Sequence, residues 1–141
     1  MRIGVFGGCF DPIHSAHLEI AKQAIRELQL DKLILVVAGT SPNKVHAGTA
    51  PAKMRLEMAG IASKDVPGVE VCDWEARQDG LNYTAETLDA LEEKYPGSEF
   101  FLIRYHGTCF FPQDSAKESG PSLQFRRENR LFSFVVYTAN L

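Results

Sequence analysis

The period of the apolar positions changes in a regular order along the chain. Arg2 to Phe6 is a short run, β-branched enough to form a first strand buried on both faces. From about Ser15 to Leu28 the period becomes helical. Leu18, Ala21, Ile25 and Leu28 fall on one face while Glu19, Lys22, Gln23 and Arg26 point elsewhere, which predicts an amphipathic crossover helix. Asp31 and Lys32 make the turn, and Leu33 to Ala38 is a continuous apolar run, the mark of a central parallel strand. Strand, helix and strand in this order make a βαβ unit, expected to be right-handed.

The pattern then repeats with longer connections. Gly39-Thr40-Ser41-Pro42-Asn43-Lys44-Val45-His46-Ala47-Gly48 is a loop rich in breakers and polar groups. It leaves the carboxyl end of its strand, the edge at which Gly7 and Gly8 also stand, so Lys44 and His46 are within reach of a common crevice. Thr49 is a candidate cap for a helix over roughly Ala50 to Ser63, where Met54, Met58 and Ile61 form one stripe and Arg55 lies outside it. Val69 to Cys72 predicts a third strand, and Trp74 to Asn82 a polar connection with Trp74 as a packing anchor. Tyr83 and Thr84 open another helix, with Leu88, Leu91 and Tyr95 at helical spacing and Pro96-Gly97 ending it. Phe100 to Ile103 is a fourth strand.

Beyond Ile103 the regularity stops. Arg104 to Arg130 shows neither a helical nor an alternating period, and only Leu131 to Thr138 recovers an apolar run. Residues 1–103 therefore read as a well-patterned α/β domain, a Rossmann-like parallel sheet with flanking helices, and 104–141 as a divergent tail with a candidate strand near 131–138.

Length and charge narrow the function classes. At 141 residues the chain is one domain, long enough for a hydrophobic core and short for a complete doubly wound enzyme. A net charge of −3 supplies no basic field, which argues against a general nucleic-acid binder. No apolar stretch approaches membrane-spanning length, and Met1 runs directly into the first strand with no signal peptide before it. Cys9, Cys72 and Cys109 are an odd, scattered set that reads as reduced thiols in a cytoplasmic protein. Nothing sets the oligomeric state.

The candidate chemistry gathers at Gly7-Gly8-Cys9-Phe10-Asp11-Pro12-Ile13-His14-Ser15-Ala16-His17. A strand leads into two glycines, and two histidines three residues apart stand at the mouth of the next helix. Glycines admit a close backbone approach, the first-turn N–H groups of the helix face negative charge, and histidines there can touch phosphate oxygens. The plain alternative is a strand-to-helix turn whose histidines cap or solvate the helix. A zinc site is disfavoured, because the glutamate of a His-Glu-x-x-His motif is absent.

This eleven-residue stretch resembles the signature of the H-x-G-H nucleotidyltransferases, and most of all the bacterial nicotinate mononucleotide adenylyltransferases, which read Gly-Gly-Thr-Phe-Asp-Pro-Ile-His-x-Gly-His. Ala38-Gly39-Thr40-Ser41-Pro42-Asn43-Lys44 is similar to that family's loop ending in a phosphate-binding lysine. Lys53-Met54-Arg55-Leu56-Glu57-Met58 resembles its following helix. Gly80-Leu81-Asn82-Tyr83-Thr84-Ala85-Glu86-Thr87-Leu88 is similar to its Ser-Tyr-Thr-x-Asp-Thr-Leu segment, which recognises the nicotinate end.

The resemblance implies adenylyl transfer from ATP to nicotinate mononucleotide, giving nicotinate adenine dinucleotide and pyrophosphate in NAD biosynthesis. It implies His14 and His17 as the catalytic pair. Gly7, Gly8, Cys9, Phe10 and Lys44 would bind the phosphates of ATP, and Thr40, Tyr83, Thr84 and Thr87 the nicotinate nucleotide. Mg²⁺ would be carried with ATP, and no dedicated protein metal site is expected. The sequence departs from the pattern at Cys9, where a weaker donor replaces a threonine hydroxyl, at Ala16 in place of glycine, and at Glu86 in place of aspartate.

The tail departs further. Family members continue with a Gly-x-Asp segment and finish with a Ser-Ser-Thr-x-Ile-Arg motif on the adenine side. Here Ile103 leads into Arg104-Tyr105-His106-Gly107, and no Ser-Thr-x-Ile-Arg occurs. Out-of-frame translation after Ile103, truncation, and real divergence with a strand over Phe134 to Thr138 all stay open. Arg126, Arg127 and Arg130 read as a solvated basic cluster or as a substitute for the lost arginine. Two other functions stay open beside the first. One is a related transfer of the phosphopantetheine adenylyltransferase or cytidylyltransferase type; the other is a catalytically impaired nucleotide-binding fragment.

Overall fold

Parallel pairing on both edges of β1 (Arg2–Gly8) sets the architecture. On one side β1 pairs with β2 (Lys32–Val37), from Ile3 opposite Lys32 to Gly8 opposite Val37. On the other it pairs with β4 (Glu99–Tyr105), from Arg2 opposite Glu99 to Phe6 opposite Ile103. β3 (Val69–Cys72) extends the parallel array beyond β2. β6 (Phe132–Thr138) joins β4 antiparallel, and β5 (Leu123–Glu128) closes the far edge, giving the order β3-β2-β1-β4-β6-β5. The computed structural model describes residues 1–39, 50–77, 84–105, 123–128 and 132–138. The fold is the expected α/β, Rossmann-like arrangement, with helices α1 (Ser15–Glu27), α2 (Ala52–Ser63), α3 (Trp74–Arg77) and α4 (Thr84–Lys94).

β2 explains why the sheet is covered on both faces. Its residues alternate sides, and none from Leu33 to Val37 is more than 2% exposed. Leu33, Leu35 and Val37 join Phe6, Phe10, Ile20, Ala21, Ala24, Leu28 and Ala59 in one core. Ile34 and Val36 join Ile3, Val5, Leu88, Leu91 and Phe100 in the other. Gly4 on β1 admits a close approach in the first core, since a Cβ there would stand 2.6 Å from Leu30 Cδ1 and 3.2 Å from Ile103 Cδ1. The chain runs from β1 outward to β3 and then returns to β4 on the opposite side of β1. That reversal makes a topological switch point at the carboxyl ends of the strands, the position at which α/β sheets bind ligands.

Four local expectations need correction. β1 runs on through Gly7 and Gly8, because both pair with β2. The Met54, Met58 and Ile61 stripe is not the buried face of α2: Met54 is 53% and Ile61 76% exposed, while Arg55, Ala59 and Ser63 are buried. The polar connection after Trp74 begins with a helical turn, α3, that buries Glu75. β5 was not foreseen, since Arg126-Arg127-Glu128 breaks any apolar alternation; it lies at a sheet edge, where charged residues are common. Thr49, the candidate cap, lies outside the described residues, and Pro51 holds the cap position of α2.

These burials predict a contrast in stability. Leu35→Ala, in the fully buried strand, is expected to cost about 2–5 kcal/mol. Ile61→Ser, on the exposed side of α2, is expected to stay within about 0.5 kcal/mol of the parent chain. Urea unfolding of the two variants measures both; a loss at Ile61 as large as that at Leu35 would restore the apolar stripe to the core.

Candidate active site

β1 delivers the chain to the carboxyl edge of the sheet at Gly8, and α1 leaves that edge at Ser15. The turn between them is tightened at Phe10, not at the glycines: Phe10 has φ 47°, a left-handed backbone that side chains disfavour by about 1–3 kcal/mol. Its packing holds it there. The ring is 1% exposed and lies edge-on to Phe6 at 5.5 Å and to His17 at 5.1 Å between centroids. Gly7 and Gly8, half-buried, present the last backbone of the strand beside it.

The two histidines come together at the mouth of α1. His14 caps the helix in an extended conformation and is exposed; His17, one turn on, is 6% exposed. Their rings stack with centroids 3.8 Å apart. The backbone N–H of His14 donates to Nδ1 of His17 at 3.1 Å. A nitrogen that accepts carries no proton, so neutral His17 holds its hydrogen on Nε2. Electrostatics agrees with this geometry. Burial first, and then the neighbouring His14, push the pKa of His17 down from 6.5 to about 4. The pair thus offers one neutral, fixed N–H donor and one exposed imidazole, both at a helix N-terminus whose free amides favour anions.

A second assembly backs the turn. Arg55 on α2 is 4% exposed, and its guanidinium donates to the carbonyls of Ala50 (2.9 Å), Cys9 (2.9 Å), Ala38 (2.7 Å) and, more weakly, Gly39 (3.4 Å). Asp11 accepts from the Ala50 N–H at 3.2 Å, so the turn after β1 and the start of α2 are tied twice. Sequence reasoning left Arg55 outside the packing stripe. The available signal was small residues rather than apolar ones. Ala59 and Ser63 follow Arg55 at intervals of four, on one helical face that lets α2 lie close to the sheet.

The remaining expected site residues divide. Gly7, Gly8, Cys9, Phe10, His14 and His17 converge as described, with Cys9 half-buried in the turn. Thr40, Lys44, His46 and Tyr83 lie outside the described residues, and Thr84 is the first residue of α4. Thr87 is turned inward. It is 3% exposed and donates to the buried Glu75 carboxylate at 2.5 Å, beside Leu88, which packs on the sheet face opposite Phe10. Burial pushes the Glu75 carboxyl up, and the Thr87 hydroxyl partly offsets this. Among the described residues no group of three or more His, Cys, Asp or Glu could hold a metal ion, and no helix is long and apolar enough to cross a membrane.

The cytidylyltransferase-like family model matches residues 5–138, from β1 to the end of β6. The chain belongs to the cytidylyltransferase-like family. Among curated relatives, this cytidylyltransferase-like chain is 42% identical over 103 residues to a probable nicotinate-nucleotide adenylyltransferase of Geobacter metallireducens, covering 73% of this chain and 48% of that protein. It is 43% identical over 99 residues to a protein of the same description from Clostridium acetobutylicum, covering 70% and 50%. The match to one from Syntrophotalea carbinolica is 41% over 136 residues, covering 96% and 59%. The chain therefore spans about half the length of the curated relatives it matches. Its fold is similar to that of the Plasmodium falciparum nicotinic acid mononucleotide adenylyltransferase complexed with NaAD, with a TM-score of 0.60 at 20% identity over 72% of this chain and 50% of that one.

His17 makes the pH dependence of this cytidylyltransferase-like fold predictable. Its folded pKa, about 4, lies below its ordinary 6.5, so the unfolded chain takes up the proton first. The stability due to neutral His17 is complete above pH 6.5 and is lost as pH falls toward 4. His17→Asn should flatten the decline between those values, read as urea midpoints across pH 4–7. Parallel curves for parent and variant would contradict the buried, neutral ring.

Proposed function

We propose that this chain carries the phosphate-gripping half of a nicotinate mononucleotide adenylyltransferase. The observation that carries the reading is the stacked His14–His17 pair at the exit of β1, with the proton of His17 confined to Nε2. The names of the relatives support the choice of substrates, since each is described as a probable nicotinate-nucleotide adenylyltransferase.

In this reading the substrates are Mg·ATP and nicotinate mononucleotide. A 5′-phosphate oxygen of the mononucleotide attacks the α-phosphorus in line. The bond from that phosphorus to the β-phosphate bridging oxygen breaks, and pyrophosphate leaves with the electron pair. Position and charge neutralisation are then the whole contribution of the protein. His17 donates its Nε2 hydrogen to a phosphate oxygen, His14 meets a second from the solvent side, and the amides after Gly8 add fixed dipoles. Gly7, Gly8, Cys9, Phe10 and Lys44 serve the ATP phosphates, and Thr40, Tyr83, Thr84 and Thr87 the nicotinate nucleotide. The Thr87 hydroxyl already bonded to Glu75 would serve it by fixing the start of α4. Mg²⁺ arrives on ATP. A cytoplasmic location belongs to the same reading, supported by the odd, scattered cysteines. The same reading divides the chain near Ile103 into a nucleotidyltransferase-like domain over 1–103 and a divergent tail over 104–141, and the coding DNA tests that division.

A second reading, a nucleotide-binding fragment with impaired turnover, is favoured by the departures at Cys9 and Ala16 from the resembled signature. The discriminating measurement is dinucleotide formation from ATP and nicotinate mononucleotide, beside ATP binding, on the 141-residue chain. In an active form, His17→Ala is expected to lower turnover on the order of 100-fold or more with a smaller change in substrate affinity. Unchanged turnover would remove His17 from the reaction; ATP binding with no product in the parent chain would select the fragment reading.

A further inference from the structure

The structure assigns Arg55 as a positioning residue: by capturing carbonyls from both strand ends it turns the following backbone amides outward, toward a bound oligophosphate. The inference rests on the phosphate-site reading above and concerns what builds that site. A trans peptide points its C=O and its N–H in opposite directions. The Arg55 guanidinium holds the carbonyls of Cys9 at 2.9 Å and Ala38 at 2.7 Å. Those two peptides end in the N–H groups of Phe10 and Gly39, which must then point away from the guanidinium. Neither amide has a hydrogen-bond partner among the described residues, although Phe10 and Gly39 are both buried. Buried backbone N–H groups are nearly always paired, so two left open at adjacent strand ends among the described residues form a place for an added acceptor.

The surroundings fit an anionic acceptor. Ala38 donates its own N–H to Gly8 at 2.9 Å, which keeps the ends of β1 and β2 side by side and the two amides on one edge. The left-handed backbone of Phe10 starts a new direction at the peptide that Arg55 holds. Among the described residues the guanidinium's partners are neutral carbonyls, and no carboxylate pairs with it. Among those residues its positive charge stays unpaired behind the amides. Lysine would keep that charge but present its donors from one atom, and so could not span carbonyls on β1, β2 and α2 at once.

The test is a pyrophosphate titration of the ¹⁵N-labelled 141-residue chain, followed by amide resonances, for the parent, R55K and R55Q. The parent is expected to bind with the Phe10 and Gly39 amides among those that move. R55Q should weaken binding at least 10-fold, and R55K at least 5-fold, while both keep the dispersed spectrum of a folded domain. If R55Q does not fold, R55K decides. Binding by R55K equal to the parent overturns the positioning role, because charge alone would then suffice. Binding that moves other amides and leaves Phe10 and Gly39 still also overturns it. A parent chain that binds no pyrophosphate overturns the inference together with the phosphate-site reading, whereas loss confined to the variants supports both.

Discussion

Everything in this molecule hangs on β1 being hydrogen-bonded along both edges. A strand paired in parallel on each side must be covered on both faces, and α1 and α4 cover it from opposite directions. The same pairing continues through Gly7 and Gly8, so the strand ends abruptly at the sheet edge and the chain has only Cys9 to His14 in which to enter α1. That shortness forces Phe10 into a left-handed backbone and packs its ring on His17. The chemistry of the histidine is thus a consequence of sheet pairing, transmitted through one aromatic contact.

The parts of this design that depend on period were legible. Continuous apolar runs gave the parallel strands, and the 3.6 period gave α1 and α4, because those elements bury conventional apolar faces. α2 escaped for a physical reason. It turns an arginine and small residues inward and leaves Met54 and Ile61 outward, so its hydropathy pattern points the wrong way round. A buried guanidinium looks like a surface charge in sequence, and only the carbonyls gathered around it show otherwise. The charged edge strand β5 was hidden for a similar reason, since pairing rather than burial defines it.

At the site, motif and geometry contributed different things. The order of glycines, histidines and lysine pointed to phosphate, and the match over residues 5–138 places the chain in the cytidylyltransferase-like family. The motif could not say that His17 is buried, neutral and protonated on Nε2, since this follows from the His14 N–H and the surrounding rings. Nor could it separate Thr87, whose hydroxyl faces Glu75, from the exposed groups around it in sequence.

Arg55 also touches Gly39 and Ala50, the residues on either side of segment 40–49. Both residues therefore hang from one side chain anchored in α2. The residues that flank the segment are therefore fixed to each other through α2. A fold wired in this way keeps the ends of β1 and β2 and the start of α2 in register through a single buried cation.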